Sequence, residues 1–504
     1  MIIKYSSNHY KLLFLLLLVS FACKKTPEEE VDQEALCLPA PKYVSFQSQI
    51  DDASDGDVII VEPGTYEGLV DFKGKNITVA SQYISDGDTS FISKTIIDAK
   101  GLGSAVRFAN GETSDARLSG FTITGGLAVK GGGIYAKEAS PTLDHLKITN
   151  NKTFDCSTDD NFYKGSGGGL YFEQSMAKLS HVMIIANTST DAGGGIYLDN
   201  SEIEFVDMIG VYANSSPTNG GGIYSYLSKI KGYHSLISGN KAEKGGGIFL
   251  TTFSKFDFLN SIIGSNVASS EGGGLYMLNS DLKGTNITIV GNMAEETGGG
   301  GYFDGSEWSF MNTVLVGNSP DAASFKESDG SSISMRYSGI SGSVTNGEVD
   351  FSQGNLEGVG ASMDYTFISM ESDNFTLYSY CDRIPGWGVF LGEDVFVKSS
   401  SLDSGNPDSQ YNDADWRYCL DGNIPRKVTT SMEHETPDSN SVRNDMGAYG
   451  GPGGNWLPIG YTYTNDLKGY NHFMEKEIFE QSDVIKDSLE GRLTKNESQE
   501  GIFG

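Results

Sequence analysis

A glycine triplet followed by strand-forming residues recurs through the middle of this chain. From residue 167 onward, successive triplets start 26, 27, 25, 27 and 26 residues apart. A constant interval of this length indicates a repeat architecture, because a unit this small cannot bury its apolar face without stacking on copies of itself. The triplets begin at Gly131, Gly167, Gly193, Gly220, Gly245, Gly272 and Gly298.

An asparagine recurs at the same interval as the glycine triplets. The units between these markers contain short runs with the alternation of β-strands, and none has the period of an amphipathic helix. The sequence therefore predicts an all-β parallel β-helix with turns of about 26 residues. At one position of every turn, asparagine side chains are expected to form a hydrogen-bonded ladder along the axis. Its members are Asn151, Asn187, Asn214, Asn240, Asn266, Asn292 and Asn318.

The glycines themselves are explained by the geometry of such a coil. Sharp turns require a positive φ or a close approach of backbone between neighbouring turns, and a Cβ at those points would clash. A phosphate-binding loop is disfavoured because no helical pattern follows any triplet.

The segments around the repeats carry a resemblance to known proteins. The opening "IDDASDGDVIIVEPGTYEG", the phrase "LSGFTITGG" and the closing "RNDMGAYGGPGG" together resemble bacterial, Bacteroidetes-like surface lipoproteins of the right-handed parallel β-helix repeat, in the pectin-lyase-like superfamily. The resemblance implies a right-handed coil over residues 43–400, with a capping helix from Tyr43 to Ala53. An acidic, loop-rich part follows at 401–454, and residues 455–504 are predicted to be a partly helical extension. This superfamily includes polysaccharide lyases, hydrolases and adhesins, so the fold does not select an activity.

The N-terminus indicates export. Lys4 and Lys11 precede an apolar run that is too short to span a membrane, as in a signal peptide over residues 1–22. The phrase "VSFAC" resembles a bacterial lipobox, which implies cleavage before Cys23 and attachment of lipid to it. Residues 23–42 are polar, as expected of a tether. We therefore expect a protein anchored by lipid at the outer membrane or cell surface.

Charge and cysteine content limit the partners and the cross-links. A net charge of −30 disfavours anionic partners, and no basic run interleaved with aromatic residues indicates nucleic-acid binding. Four cysteines besides Cys23 allow up to two disulfides, in any pairing, in an exported protein. They are Cys37, Cys156, Cys381 and Cys419.

One aromatic residue in each unit lies between apolar neighbours. Strand alternation then places the ring outside the core, and stacked turns place the rings in one column. A stripe of exposed rings is expected to bind carbohydrate. The alternative is that the rings stack on one another and stabilise the sheet. The column comprises Tyr135, Tyr171, Tyr197, Tyr224, Phe249, Tyr276 and Tyr302.

Two positions further along each unit lies a second outward column, which contains candidate catalytic residues. Glu173 and Asp199 fall on neighbouring turns, so their carboxyl groups are expected about 5 Å apart, as in a retaining glycosidase. The proximity of two carboxylates raises the pKa of one of them and makes it an acid. Lys137 precedes them in the column as a candidate base.

The longest unit, residues 131–166, carries an insertion. Asp159, Asp160 and Lys164 in this insertion are expected to form a wall beside the carboxylate pair. An arginine-dependent lyase is disfavoured, because no arginine occurs between Arg117 and Arg336.

Two groups of residues raise the question of metal binding. His145, His181 and His234 share a repeat position that other turns fill with Met208 or asparagine, which favours a hydrogen-bonding turn over a metal site. An acidic loop near residue 410 supplies the oxygen ligands that calcium prefers. This possible calcium site, the one cofactor site that the sequence indicates, comprises Asp403, Asn406, Asp408, Asn412, Asp413 and Asp415.

Together these features favour a non-catalytic surface protein whose β-helix face binds carbohydrate or another surface partner. Two alternatives stay open. One is a glycoside hydrolase, or less favourably a polysaccharide lyase, that acts through Lys137, Glu173 and Asp199. The other is a structural or adhesive spacer.

Overall fold

The computed structural model describes residues 37–158, 161–326, 332–336, 338–340 and 342–347, together with a few short strands between 356 and 429. These residues form a coil of parallel strands, which confirms the predicted parallel β-helix. No helix among them is long and apolar enough to cross a membrane. The helices are α1 (Gln47–Asp52), α2 (Tyr83–Asp86) and α3 (Ser90–Lys94).

The largest sheet, here called the first sheet, has 18 strands. In the regular turns its strand bends at one residue in the left-handed conformation, such as His181 with a φ of 53°. We call the part before the bend the first limb and the part after it the second limb. The strands of the first sheet are β1 (Val58–Val61), β2 (Gly64–Glu67), β4 (Thr78–Ser81), β5 (Thr95–Asp98), β7 (Arg117–Ser119), β8 (Thr122–Thr124), β11 (Thr142–Thr149), β16 (Met176–Ile185), β18 (Glu202–Tyr212), β20 (Lys229–Tyr233), β21 (Ser235–Ser238), β24 (Lys255–Gly264), β27 (Asp281–Val290), β30 (Glu307–Met311), β31 (Val314–Val316), β33 (Ser332–Arg336), β34 (Gly339–Ile340) and β36 (Leu356–Glu357).

The second sheet follows the glycine triplets and has 11 strands. Its register places the same position of each repeat in one column; Tyr171, for example, is paired with Tyr197. Apolar side chains from the first two sheets fill the interior between them. The strands of the second sheet are β3 (Val70–Asp71), β6 (Val106–Phe108), β10 (Ile134–Lys137), β15 (Leu170–Glu173), β17 (Ile196–Asp199), β19 (Ile223–Tyr226), β23 (Ile248–Thr251), β26 (Leu275–Leu278), β29 (Gly301–Asp304), β32 (Ala323–Phe325) and β35 (Val344–Thr345).

Short strands after the asparagine position make up a third side of the coil. They are β9 (Leu127–Ala128), β12 (Lys152–Thr153), β22 (Lys241–Ala242), β25 (Val267–Ala268) and β28 (Met293–Ala294). Three antiparallel hairpins stand apart from this parallel pairing. They join β13 (Cys156–Ser157) with β14 (Phe162–Tyr163), β37 (Phe367–Ser369) with β38 (Asn374–Leu377), and β39 (Trp416–Asp421) with β40 (Ile424–Thr429).

The asparagine ladder is present. The side-chain amide of Asn187 donates to the side-chain oxygen of Asn214 at 3.1 Å and to the Ile148 carbonyl at 2.9 Å. The same pattern runs from Asn151 to Asn318, and these side chains are buried. Each asparagine side chain therefore forms hydrogen bonds with backbone groups that would otherwise be buried and unpaired at the turn.

The glycine triplets satisfy both expected requirements. Gly193 has a φ of +64°, a conformation that side chains disfavour. A Cβ on its neighbour Gly194 would lie 2.4 Å from the carbonyl oxygen of Ser215. The first glycine thus makes the turn, and the second permits neighbouring turns to approach.

The N-terminal end of the coil is covered as expected, but by a shorter helix. The helix α1 occupies part of the predicted range; Phe46 just before it and Ile50 within it are buried, whereas Tyr43 lies outside it and is 38% exposed. A disulfide joins Cys37 to Cys156, and their Cα atoms are 6.0 Å apart. Cys23, Cys381, the six proposed calcium ligands and the C-terminal extension lie outside the described residues, so those predictions stay predictions.

Candidate functional site

The candidate catalytic residues lie side by side on the second sheet. Lys137 is paired with Glu173, and Glu173 is paired with Asp199, on the neighbouring strands β10, β15 and β17. All three occupy the last position of their strands, just after the aromatic column. The strand register therefore brings the carboxyl groups of adjacent turns next to each other, at the usual strand spacing of about 4.8 Å.

Glu173 is held by three neighbouring side chains. Its carboxylate accepts hydrogen bonds from the Lys130 ammonium and the Tyr135 hydroxyl, both at 3.1 Å, and pairs with Lys137 at 3.4 Å. Burial acts to raise the pKa of Glu173, but the two lysines and the tyrosine hydroxyl outweigh it and hold the pKa below its usual range. Glu173 is consequently ionised at neutral pH.

Asp199 has the opposite environment. Its carboxyl group is half-buried, and no side chain among the described residues donates a hydrogen bond to it. Burial and the nearby Glu173 carboxylate raise the pKa of Asp199. In this pair, lysine side chains hold the Glu173 carboxylate in place, whereas the neighbouring Asp199 carboxyl group can still accept hydrogen bonds.

The aromatic column forms a continuous stack. Neighbouring rings from Tyr171 to Tyr302 have centroids 4.7–5.3 Å apart and interplanar angles of 4–24°. The rings lie outside the interior core, but Tyr171 is only 5% exposed and Phe249 only 6%. This differs from the expected stripe of exposed rings, because each ring covers the faces of its neighbours. It agrees with the alternative, in which rings stack and stabilise the sheet.

Hydroxyl edges rather than ring faces are therefore the part of the column that a ligand could meet. Tyr197, Tyr224 and Tyr302 are partly exposed. Burial and nearby carboxylates raise the pKa of Tyr224 and of Tyr302 to about 12. These hydroxyls stay protonated and can donate hydrogen bonds at physiological pH.

Two lysines that sequence reasoning missed flank the stack. Lys130 lies 5.5 Å from the ring centroid of Tyr171, and Lys244 lies 5.2 Å from that of Tyr276. Lys244 also pairs with Glu271 at 2.7 Å. Both lysines immediately precede a glycine triplet, and this shared repeat position is the signal that would have identified them.

The insertion in the longest unit makes a different contact from the one expected. Lys164 pairs with Asp191 at 2.9 Å and not with the carboxylates on the second sheet. Asp155, earlier in the insertion, accepts a hydrogen bond from Thr190 at 2.6 Å. The insertion is thus fastened to the turn before β17. Asp159 and Asp160 lie outside the described residues.

The histidine column lies at the bend of the first sheet. The rings of His145 and His181 stack at 4.4 Å and 6°, and ligand atoms of Asp144, His145 and His181 lie within 4.8 Å of one another. Parallel rings direct their in-plane lone pairs side by side, so the two imidazoles do not converge on one metal ion. His145 is already engaged, with Asp144 on Nδ1 at 2.7 Å and the Tyr83 hydroxyl on Nε2 at 2.6 Å. The position is therefore a hydrogen-bonded turn, as expected.

Known structures show distant similarity to this chain, whereas no family model and no curated protein matches it. A crystal structure of pectate lyase Pel9A is 12% identical, over 80% of this chain and 90% of that one, with a TM-score of 0.36. The Azotobacter vinelandii mannuronan C-5 epimerase AlgE6 A-module is 13% identical over 62% and 92%, with a TM-score of 0.29. The PL6 family alginate lyase AlyGC is 12% identical over 66% of this chain and 54% of that one, with a TM-score of 0.31. TM-scores this low say nothing about what this chain does.

Proposed function

We propose that this protein binds a neutral, linear polysaccharide along the second sheet of its coil. The observation that carries this proposal is the half-buried carboxyl group of Asp199, which receives no hydrogen bond from any described side chain. Half-buried carboxylates are normally hydrogen-bonded, so a ligand hydroxyl is a fitting partner. Charge-assisted hydrogen bonds of this kind are among the stronger ones.

The arrangement of the neighbouring groups favours a polymer over a small ligand. Ring hydroxyls lie on several turns along a line parallel to the axis, and the column beside them carries carboxyl groups at Glu173, Asp199 and Asp304. A polysaccharide lying along this line would therefore meet hydrogen-bonding groups on several turns at once. The net charge of −30 disfavours a polyanion, which makes a neutral glycan the better partner.

We infer that this face lies at the cell surface. A lipid on Cys23, a tether over residues 23–42 and export by the signal peptide would anchor the coil at the outer membrane. Labelling with a fatty-acid analogue tests this part. If the Cys23→Ala variant is not labelled, lipid attachment at Cys23 is supported. If that variant is still labelled, lipid attachment at Cys23 is contradicted.

Binding can be tested on the chain from Glu28 onward, with a panel of neutral and acidic polysaccharides. Asp199→Asn should weaken retention on the bound glycan at least tenfold, because the charged acceptor is lost. Asp304→Asn is the matched control: Asp304 lies in the same column, but Lys326 pairs with it at 2.7 Å. Equal retention of the wild type, Asp199→Asn and Asp304→Asn would reject the proposal.

A second candidate function is supported by the opposite pKa directions of Glu173 and Asp199. A retaining glycoside hydrolase uses two carboxyl groups about 5 Å apart, one as the nucleophile and the other as the acid, and the two residues must differ in their pKa values. The same glycan panel tests this, with released oligosaccharides followed by mass spectrometry. Release that is abolished by Glu173→Gln, with retention intact, would make the protein an enzyme; retention without products would leave a binding protein.

A further inference from the structure

The corner that joins the second sheet to the first limb is one residue longer in one turn than in the turns on either side of it. In both neighbouring turns, three residues (225–227 and 277–279) join the ring of the aromatic column to a serine, whereas here four residues (250–253) do so. Phe253 is the extra residue. The strand that follows, β24, pairs in register with β20 and β27 on its two sides. The coil therefore stacks in the same way with or without Phe253.

The backbone of this corner is unfavourable for the residues that occupy it. Thr252 and Phe253 have φ values of 54° and 62°, and Leu227 at the same corner of the preceding turn has a φ of 50°. Asparagine and glycine tolerate this conformation best, and Asn279 and Gly305 occupy the corner in the two turns that follow. Folding alone would favour such residues throughout. Bulky side chains held in a strained backbone are a feature of functional sites.

The side chains of Tyr226, Leu227 and Phe253 form an apolar surface at this corner, which we call the corner patch. Phe253 is 73% exposed, Leu227 42% and Tyr226 37%. Tyr226 is paired with Thr251, two residues before Phe253, so the three side chains come from adjacent turns. In the aromatic column each ring covers its neighbours, and Phe249 is only 6% exposed. Phe253 thus offers the uncovered ring that the column lacks, and clustered exposed apolar groups are typical of binding surfaces.

The corner patch continues the column that contains Asp199. Asp199 on β17 is paired with Tyr226 on β19, and Tyr226 is paired with Thr251 on β23. At about 4.8 Å per turn, the patch begins one turn from Asp199 and ends two turns away, about 10 Å along the axis. A short oligosaccharide bound at Asp199 is long enough to reach it. The position of the patch therefore favours a further sugar of the same chain as its occupant.

We propose that the corner patch packs against a sugar ring of the polysaccharide that Asp199 binds, with Phe253 as the main contact. This inference rests on the proposed function. The C–H face of a pyranose ring is apolar, and an aromatic ring supplies a large apolar area to cover it. The hydroxyl groups at the edge of the same sugar stay free for hydrogen bonds. Such a contact selects a neutral pyranose with an uninterrupted C–H face.

Retention of the full chain on the bound glycan tests this contact. Phe253→Ala should weaken retention about tenfold through loss of the apolar contact, whereas Phe253→Tyr, which keeps the ring, should stay within about twofold of the wild type. Tyr233→Ala is the matched control. Tyr233 is also an exposed aromatic residue, but it lies at the other end of β20 from the corner, so its variant should bind as the wild type does.

Deletion of Phe253 keeps the test valid if a substitution disturbs folding. The deletion restores the three-residue corner of the neighbouring turns, so the thermal midpoint should not fall. Retention should weaken as much as in Phe253→Ala. A folded deletion variant that binds glycan as tightly as the wild type would overturn the inference.

The outcomes distinguish this inference from the proposed function. Weakened retention in Asp199→Asn but not in Phe253→Ala would overturn the corner patch as a sugar contact and leave binding at Asp199 intact. Weakened retention in Phe253→Ala alone would reject the role of Asp199, and with it a shared glycan. A wild type that retains no glycan would reject both. If Phe253→Ala binds glycan normally but loses binding to phosphatidylcholine vesicles, or changes from dimer to monomer, the patch contacts a membrane or a second copy instead.

Discussion

The side-chain amide of Asn214 donates a hydrogen bond to the side-chain oxygen of Asn240 at 3.1 Å, one full turn away in the coil. The same amide also donates to the Ile184 carbonyl at 2.8 Å, on the preceding turn. Asn214 thus ties three consecutive turns together. In a solenoid, where each turn contacts only its neighbours, such bonds couple the turns into one cooperative unit.

Substitution of Asn214 by alanine should therefore be strongly destabilising. The change leaves the buried Ile184 carbonyl and the Asn187 backbone N–H without their Asn214 partners. Because each unsatisfied buried group costs about 1–3 kcal/mol, the free energy of unfolding should fall by at least about 2 kcal/mol. Chemical denaturation measures this. Asn161→Ala, at an exposed asparagine, is the control and should change stability by less than about 0.5 kcal/mol.

The triplet glycines give a second prediction. A Cβ at Gly194 would approach two backbone oxygens, of Ser215 and Gly221, within 2.4 and 2.5 Å, and backbone cannot move aside cheaply. Gly194→Ala should abolish folding or lower the thermal midpoint by more than 10 °C. Gly239→Ala provides the comparison, because Gly239 has a φ of +64° but its Cβ would meet nothing nearer than 3.8 Å. That variant should lose only about 1–2 kcal/mol, and similar losses in both variants would refute the close-packing explanation.

The parts of the fold that the sequence predicted correctly are those with a period. Asparagine at Asn187 and Asn214 and glycine at Gly193 recur because stacking imposes the same geometry on every turn. Strand alternation likewise placed Glu173 beside Asp199. In a repeat, the partner of a residue on the next turn lies one repeat length away in the sequence. Strand pairing and register could therefore be predicted from the repeat interval.

The parts that it missed depend on contacts without a period. The engagement of Glu173 by Lys130 joins residues 43 positions apart, across the long insertion. The bond between Tyr83 and His145 comes from an irregular early turn. Ring exposure was misjudged for another reason: alternation tells which side of a strand Tyr171 occupies, but not that its own neighbours cover that side.

The ring stack leads to a third prediction, which separates stability from binding. Tyr224 lies between Tyr197 and Phe249, and the phenylalanine shows that the stack tolerates a ring without a hydroxyl. Tyr224→Phe should therefore change the free energy of unfolding by less than about 0.5 kcal/mol. Tyr224→Ala should cost about 2 kcal/mol or more through lost stacking and burial.

The same pair of variants tests whether the hydroxyl edge contacts glycan. If it does, Tyr224→Phe should weaken retention about threefold to tenfold, the equivalent of roughly 1 kcal/mol for one hydrogen bond, at unchanged stability. Unchanged retention in Tyr224→Phe, together with a destabilised Tyr224→Ala, would assign the ring at this turn a structural role alone.

The carboxylate at the bend of the first sheet gives a prediction about pH. Burial acts to raise the pKa of Asp144, but hydrogen bonds with His145 and Arg117 outweigh it and lower the pKa to about 2. A folded-state pKa below the unfolded value of about 3.9 means that the ionised carboxylate stabilises the fold. This contribution is fully present above about pH 4 and is lost as the pH falls towards 2. Lowering the pKa from its unfolded value to about 2 corresponds to about 2–3 kcal/mol.

Asp144→Asn should accordingly lower the free energy of unfolding by about 2–3 kcal/mol at pH 7, and this difference from the wild type should shrink between pH 4 and pH 2. Denaturant titrations at pH 7, 4 and 2.5 measure it. Asp257→Asn, at an exposed position on the first limb, should show no such pH-dependent difference. A difference for Asp144→Asn that stays constant from pH 7 to pH 2.5 would mean that shape and hydrogen bonding, and not the charge, make this carboxylate stabilising.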